Sequence, residues 1–211
     1  MTARTTLLRA ILIGGAAMAL SIITATGASA SCNIGYNAEG ADLSGADLQD
    51  CDFSGKNLHG ANLSNANLHG ANLSNARLNN ANLNGANLGG ANLHNVDFEG
   101  ASLIGASLIG TSLHQTSLLN ANLSRADLRG VTIGPNDRLQ TMQASGVNFS
   151  GANLSGATLQ RLIMTRADFS GANLTGATVN SVTMYYANLS RAIWVDGSVC
   201  ADASVGECTP R

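Results

Sequence analysis

The chain has few of the residues from which most catalytic sites and charged binding surfaces are built. Of its 211 residues only 11% are charged and 4% aromatic, and it has four histidines, four cysteines, two prolines and one tryptophan. Two of its 11 basic residues, Arg4 and Arg9, lie in the first thirty positions. The rest of the chain therefore has nine basic and thirteen acidic residues, a net charge of about −4. Such weak, scattered charge argues against a nucleic-acid partner, which needs a dense basic surface.

The first thirty residues differ in composition from everything that follows. Arg4 and Arg9 precede an apolar stretch at 10–23, and an A-x-A cleavage signature ends at Ala30. This pattern predicts a secretory signal peptide at 1–30 and hence an exported bacterial protein, periplasmic or secreted. The alternative is a transmembrane anchor, for which the apolar stretch is short. After cleavage we expect no stable membrane insertion.

From Ala41 to Pro135 one five-residue phrase recurs nineteen times without losing register, beginning ADLSG ADLQD CDFSG KNLHG. Its central apolar residue, position i, is Leu in sixteen copies, and position i−2 is Ala in thirteen. Position i−1 is mostly Asn, Asp or Ser, and position i+2 is usually Gly or Asn. Gly and Asn tolerate the positive φ of tight bends, so i+2 is where we expect the chain to turn.

Neither a helix nor a flat strand can use this period. On a helix, residues five apart lie about 140° apart, so the leucines would spiral over every face. On a flat strand an odd period sends successive leucines to opposite faces. The phrase therefore predicts a chain that bends every five residues, with i and i−2 inside and i−1, i+1 and i+2 outside. The period alone leaves open whether each coil has three sides or four.

With these phrases the chain resembles the pentapeptide-repeat proteins, whose consensus is A(D/N)LXX. The resemblance implies an all-β, right-handed, quadrilateral β-solenoid with four phrases per coil. Twenty-nine phrases then give about seven coils, a stack about 34 Å tall at roughly 4.8 Å per coil. Some relatives protect bacterial DNA gyrase by imitating DNA, which implies a gyrase-interacting, quinolone-protecting mimic as one possible function. Export and the weak net charge argue against that function here.

The register breaks once. After Ile133 the next clear centre is Phe149, and the stretch 134–146 holds no good phrase. Ten apolar centres then run from Phe149 to Trp194, whose ring we expect to close the last coil. The predicted organisation is a signal peptide at 1–30, an N-terminal cap at 31–40, a first repeat tract at 41–135, a loop at 136–146, a second tract at 147–194 and a C-terminal cap at 195–211.

The four cysteines form one sequence-local pair near each end of the exported chain. Three pairings are possible. We predict the local ones, Cys32 with Cys51 and Cys200 with Cys208, because each would staple an end coil, where fraying is worst. In the alternative, Cys51 at an inward i−2 position is only a small core residue. The spacing does not fit a zinc site.

One coil has unusual residues at the outward position i+1, which elsewhere is mainly Ser, Asn, His or Gly. In the coil 101–120 this position holds Ile104, Ile109, His114 and Leu119. Large apolar groups pointing outward round one coil would form a belt for contact with a partner. In the alternative, the loop at 134–146 folds back and covers part of this belt.

All four histidines lie at i+1, and twenty residues per coil put His94 and His114 on one face of adjacent coils. A metal ion could bridge them, but no nearby Cys completes a ligand set, so two solvated side chains are the simpler interpretation. The carboxylates at i−1 alternate with Asn in the same turn-stabilising role. We therefore expect no catalytic residue, no cofactor and no metal.

These patterns favour a non-enzymatic, exported solenoid that acts as a structural scaffold or a protein-interaction surface. Its partner would be an unidentified protein or another copy of the chain. The gyrase-interacting mimic and an enzyme or metal-binding protein using His94 and His114 are the alternative hypotheses.

Overall fold

The computed structural model describes residue 32 and residues 35–135 and 140–210. The predicted signal peptide lies outside these residues. Within the described part the backbone forms short strands, bridges and turns but no helix. Accordingly, no described segment is a helix that could cross a membrane.

Parallel pairing between residues twenty apart organises the chain into stacked coils. Asp42 pairs with Asn62, and the same step recurs along the first tract. Because twenty residues are four phrases, each coil has four sides, which we call A, B, C and D. In the first full coil they carry Asp42, Asp47, Asp52 and Asn57. This confirms the predicted all-β, right-handed, quadrilateral β-solenoid.

Most rungs of the stack are single bridges, and a few extend into short strands. The strands are β1 (Ser112–His114), β2 (Thr132–Gly134), β3 (Met142–Gln143), β4 (Thr158–Gln160), β5 (Leu162–Ile163) and β6 (Thr178–Asn180). Side C carries the parallel sheet β1-β2-β4-β6, and side D carries the pair β3-β5. Side A has eight rungs from Asp42 to Asn188, and their seven steps agree with the predicted seven coils.

The two inward positions of each phrase form one continuous core. Leucines at i, such as Leu63 and Leu83, and alanines at i−2, such as Ala61, are 0–1% exposed. Burial of each leucine contributes roughly 1.5–3 kcal/mol. All four phenylalanines of the chain occupy i and are fully buried. The rings of Phe149 and Phe169, in adjacent coils, stack with centroids 5.2 Å apart.

Position i+2 turns the corners with a left-handed backbone, except at Pro135, and its side chain restricts the next coil. An asparagine there extends its side-chain oxygen over the i+2 residue twenty positions on. Asn65 Oδ1 lies 2.5 Å from the point where a Cβ on Gly85 would stand. Alternatively the next coil also has an asparagine, as where Asn95 Nδ2 donates to Asn75 Oδ1 at 2.9 Å. Glycine or a second asparagine stands above four of the five corner asparagines, and Gln115 stands above Asn95.

The register break is an insertion at the corner between sides C and D. Bridges step by twenty before it and by 26 across it, as where Asn122 pairs with Asn148 on side A. Six extra residues are therefore inserted, while sides A, B and C keep their rungs. The insertion follows Pro135 and ends before Met142, where β3 begins.

The predicted loop at 136–146 extends too far, because residues 142–146 form a regular phrase. Met142 N donates to Arg161 O and Ala144 N to Ile163 O, both at 2.9 Å. In this phrase the large inward residue is at i−2 and the small one is at i, the reverse of most other phrases. Met142 occupies i−2 and Ala144 occupies i, and both are buried. A sequence pattern that requires a large residue at i does not detect this phrase, although its two inward side chains together fill about as much core volume as those of other phrases.

A disulfide closes each end of the described stack. Cys32 is bonded to Cys51, with Cα atoms 5.5 Å apart, and Cys200 to Cys208, with Cα atoms 5.1 Å apart. The predicted pairings are confirmed. Cys51 is also 2% exposed, so it serves as a core residue as well as a disulfide partner.

The C-terminal cap doubles back over the last coil. Val199 bridges Ile193 on side B, and Val205 bridges Asn188 on side A, both antiparallel. Trp194, the residue predicted to close the coil, is half-buried and packs against the core. The cap therefore covers the upper edges of sides A and B.

Gly85→Ala and Gly105→Ala test the corner restriction as a matched pair. Their φ values are +67° and +66°, so each substitution carries the same cost of about 1 kcal/mol for a left-handed residue. A Cβ on Gly105 meets nothing within 4 Å, whereas one on Gly85 meets Asn65 Oδ1. We expect Gly85→Ala to lower the free energy of unfolding, measured by urea titration, by about 1 kcal/mol more. The difference should vanish in an Asn65→Gly background; a difference that persists there would contradict the explanation.

Candidate interaction surface

Position i−1, which holds many of the carboxylates, serves the stack itself. Asp42 Oδ1 accepts hydrogen bonds from Ser44 N at 3.1 Å and from Asn62 Nδ2 at 3.0 Å. Asn62 Oδ1 in turn accepts from Ser64 N and from Asn82 Nδ2, both at 3.2 Å. These Asp and Asn side chains therefore close their own turns and bind the next coil.

These side-chain ladders have a direction that decides where aspartate is suitable. In each pair the amide Nδ2 donates toward the N-terminal coil, and Oδ1 accepts from the following coil. An ionised aspartate can only accept, so it suits the first rung of a ladder. In the observed pairs aspartate is always the acceptor: Asp42 accepts from Asn62, Asp47 from Asn67 and Asp52 from Asn72 at the first rungs of sides A, B and C, and Asp168 accepts from Asn188 higher on side A, at 3.0–3.2 Å. Aspartate and asparagine thus share the turn-closing role expected from the sequence, but only asparagine can also donate to the preceding coil.

The same hydrogen bonds hold several carboxylates in the ionised form. The side chain and the N–H of Ser44 lower the pKa of Asp42, and those of Ser54 lower the pKa of Asp52. The pKa of Asp127 is lowered chiefly by the hydrogen bonds from the Arg129 side chain, whose Nη2 lies 2.8 Å from Asp127 Oδ2. A general acid at neutral pH needs the opposite shift. These groups are therefore turn and surface contacts rather than proton donors.

His94 and His114 lie in adjacent coils at the corner that follows side C. Their preceding rungs, Asn92 and Ser112, are bridged to each other. His114 Nδ1 donates to the carbonyl oxygen of Gly134 at 3.0 Å, which leaves only Nε2 of that ring for another ligand. Among the described residues no three His, Cys, Asp or Glu side chains converge as metal ligands.

The four belt residues lie at four different corners of one coil. Each follows a serine rung on a different side, so Ile104, Ile109, His114 and Leu119 follow sides A, B, C and D in turn. Ile109 is 42% exposed, and the other three are half-buried. Ile109 stands out because the same corner of the preceding coil is Gly89, which has no side chain to cover it. A flat partner surface would reach Ile109 and an adjacent corner but not the whole belt.

The insertion also opens a cleft of about 370 Å³ on side D. In the part of the chain that the structure describes, Ser117 and Gln143 face each other there without a bridge, although Asp97 pairs with Ser117 and Gln143 with Ile163. Among the described residues that line it, none is ionisable; they are Asn95, Gln115, Thr116, Ser117, Pro135, Gln140, Thr141, Met142 and Gln143. The sequence predicted a loop here, but the repeat period could not predict that the bridge between Ser117 and Gln143 would be missing.

The repeat pattern agrees with a family model for pentapeptide repeats, which matches eight copies at residues 41–80, 71–108, 97–133 and 145–180. These matches cover more than half of the chain. The chain belongs to the pentapeptide-repeat family. The match leaves out residues 134–144, which contain the insertion, and the residues after 180, which contain the last phrases and the cap.

Several solved structures are similar to this pentapeptide-repeat chain. HetL, involved in heterocyst differentiation regulation in the cyanobacterium Nostoc sp. strain PCC 7120, is 32% identical, over 77% of this chain and 76% of that one, with a TM-score of 0.32. Rfr23 from the cyanobacterium Cyanothece 51142 is 30% identical over 58% and 86%, with a TM-score of 0.36. QnrB1, a plasmid-mediated fluoroquinolone resistance protein, is 24% identical over 67% and 75%, with a TM-score of 0.43. No curated protein matches the chain.

Asn62→Asp tests the direction of the ladder, because it sets a second carboxylate against Asp42. The Asn62 contact is one of those that lower the pKa of Asp42, so its loss and the new charge raise that pKa. The penalty is therefore present at pH 7 and is relieved as the pH falls through the raised pKa. We expect a loss of about 0.5 kcal/mol in unfolding free energy at pH 7, reduced in 1 M salt and at pH 3. Asp42→Asn should be nearly neutral; an equal loss in that control would contradict the rule.

Proposed function

We propose that this pentapeptide-repeat protein is an exported, non-enzymatic scaffold that presents a rigid surface to another protein. The observation that carries the proposal is the pair of disulfides, one at each end of the stack. Stable structural disulfides form in oxidising compartments and are rare in the cytosol. All four cysteines are paired, which fits the cleavable leader that the sequence predicts.

Rigidity follows from how the backbone is bonded. Rungs on four sides tie most coils to the next, three sides keep their rungs across the insertion, and side-chain ladders reinforce several of these rungs. Positions i, i−2 and i−1 are occupied by packing and turn bonding, so surface chemistry varies mainly at i+1. A surface of this kind suits recognition by shape and by a few apolar contacts rather than by charge.

The non-enzymatic part of the proposal is supported by the chemistry of the described side chains. The carboxylates with shifted pKa values are held ionised, and no described cluster of metal ligands supplies a Lewis acid. The described lining of the cleft on side D consists of neutral side chains, mainly amides and hydroxyls, which bind ligands but include neither a nucleophile–base pair nor a proton donor poised near neutral pH.

Thiol trapping in fractionated cells of the native host tests export and oxidation together. We expect the protein in the periplasmic or secreted fraction, with no cysteine alkylated under denaturing conditions until a reductant is added and four alkylated afterwards. A Cys200→Ser/Cys208→Ser variant should show two reactive thiols fewer after reduction, which calibrates the count. Recovery from the cytoplasm with four free thiols would overturn the exported role.

Ile109→Ser tests whether the exposed corner of the belt contacts a partner. The immobilised mature protein would be compared with Ile109→Ser and with Ile104→Ser/Ile109→Ser/Leu119→Ser for proteins retained from the envelope fraction. Loss of an apolar contact should reduce a specific partner at least tenfold. His69→Ser, at the same corner two coils earlier, is the matched control and should retain it. Equal recovery with all variants would exclude the belt as the contact.

A further inference from the structure

The corners that border side D in the later coils differ from the earlier corners in the residues they carry. Up to residue 120, position i+2 is Gly, Asn or Asp at every corner except Gln115. The later corners beside side D carry Arg161, Arg166 and Tyr186, each with a left-handed backbone at φ +54° to +60°. A bulky residue is rare in that conformation, because its Cβ crowds the backbone. These three residues therefore occupy positions that glycine would fill at lower cost.

The side chains at these corners are accessible to a partner. Tyr185 and Tyr186 are 71% and 75% exposed, and Arg166 is also exposed, whereas Arg161 is half-buried. Arg166 N donates to Tyr185 O at 2.9 Å, so these residues stand in adjacent coils. Side chains as exposed as the two tyrosines gain little packing in return for an unfavourable backbone. Residues held in such conformations cluster at ligand-binding sites.

The same part of the stack carries positive charge that the described residues do not neutralise. Residues 140–195 include one acidic residue, Asp168. It lies on side A, where its Oδ1 accepts a hydrogen bond from Asn188 Nδ2 at 3.1 Å. Among the described residues neither Arg161 nor Arg166 forms an ion pair. Both guanidinium groups are therefore available to a carboxylate from outside the chain.

We infer that Arg161, Arg166, Tyr185 and Tyr186, which we call the Arg–Tyr face, bind an acidic segment of a partner protein. Charge complementarity sets the sign of the segment. Arginine pairs with carboxylates through two parallel hydrogen bonds, and Tyr and Arg are enriched among the residues that dominate protein interfaces. The inference rests on the proposed interaction role and adds a second contact surface to the belt.

The composition of the face describes the segment that fits. Its carboxylates would pair with the arginines at the two corners, and an apolar residue would cover the tyrosine rings beside one of them. The outward side chains between the corners, Ile163 and Thr183, are uncharged, so the middle of the segment should be uncharged too. An inorganic anion would leave the tyrosines uncovered. A nucleic acid is bound through many more basic residues than these.

Peptides selected by phage display on the disulfide-intact mature protein supply the probe. The enriched sequences should be rich in Asp and Glu. The best peptide, made synthetically, should bind roughly tenfold more weakly once its acidic residues are changed to Asn and Gln. Its affinity should also fall when the salt concentration is raised from about 0.05 M to about 0.5 M, because exposed ion pairs are screened.

Arg161→Gly/Arg166→Gly tests the face with little effect on the fold. Glycine suits a left-handed corner, so the melting temperature should change by no more than a few degrees, while peptide binding should weaken roughly tenfold. Arg125→Gly is the matched control, because it makes the same change at a corner with φ +58° on another side and should keep the affinity. Tyr185→Ser/Tyr186→Gly should weaken binding roughly tenfold without removing charge.

Several outcomes would overturn the inference. They are selected peptides without acidic residues, unchanged binding by Arg161→Gly/Arg166→Gly, and an equal loss in Arg125→Gly. Tighter binding of heparin or of phosphatidylglycerol vesicles than of any selected peptide would assign the face to another polyanion. Salt-sensitive dimers in sedimentation that disappear in Arg161→Gly/Arg166→Gly would make a second copy the occupant. The envelope comparison with Ile109→Ser does not involve this face, so the proposed scaffold role is decided separately.

Discussion

The bond between a residue and its counterpart twenty positions on is the interaction on which the rest of the molecule depends. A single phrase cannot bury its leucine, because one coil leaves the core open above and below. Once Asn62 pairs with Asp42 and with Asn82, the leucines and alanines of three coils meet and the interior closes. Core burial, corner geometry and side-chain ladders are therefore consequences of one repeated parallel contact, and cooperativity passes only between neighbours.

Much of this arrangement could be predicted from the sequence, because a period of five is incompatible with the other regular structures. The inward positions, including Leu63 and Ala61, follow from that period alone, and the disulfide partners follow from their separation along the chain. The phrase around Ala144 escaped because packing conserves volume, not the order of large and small residues. The direction of the side-chain ladders was not predicted. It depends on Asn having a side-chain hydrogen-bond donor that ionised Asp lacks, and the repeat pattern treats the two residues alike.

The candidate surface was the least predictable part. Exposure at i+1 depends on the residue one coil away, so Ile109 is prominent over Gly89 whereas Ile104 is half-buried. The cap could not be traced from the sequence either, because the segment after Trp194 has no period from which to infer its reversal.

The insertion after Pro135 shows that a coil can gain residues at a corner while the stacking of the coils is kept. The pairing step lengthens by six residues at one corner, yet three sides keep their rungs and the core includes both Ile133 and Ala144. Corners can thus lengthen independently of the hydrophobic interior. Segments of foreign sequence grafted at this corner would be displayed at a defined height on the stack, and pentapeptide-repeat chains could acquire new recognition loops one at a time without refolding the interior.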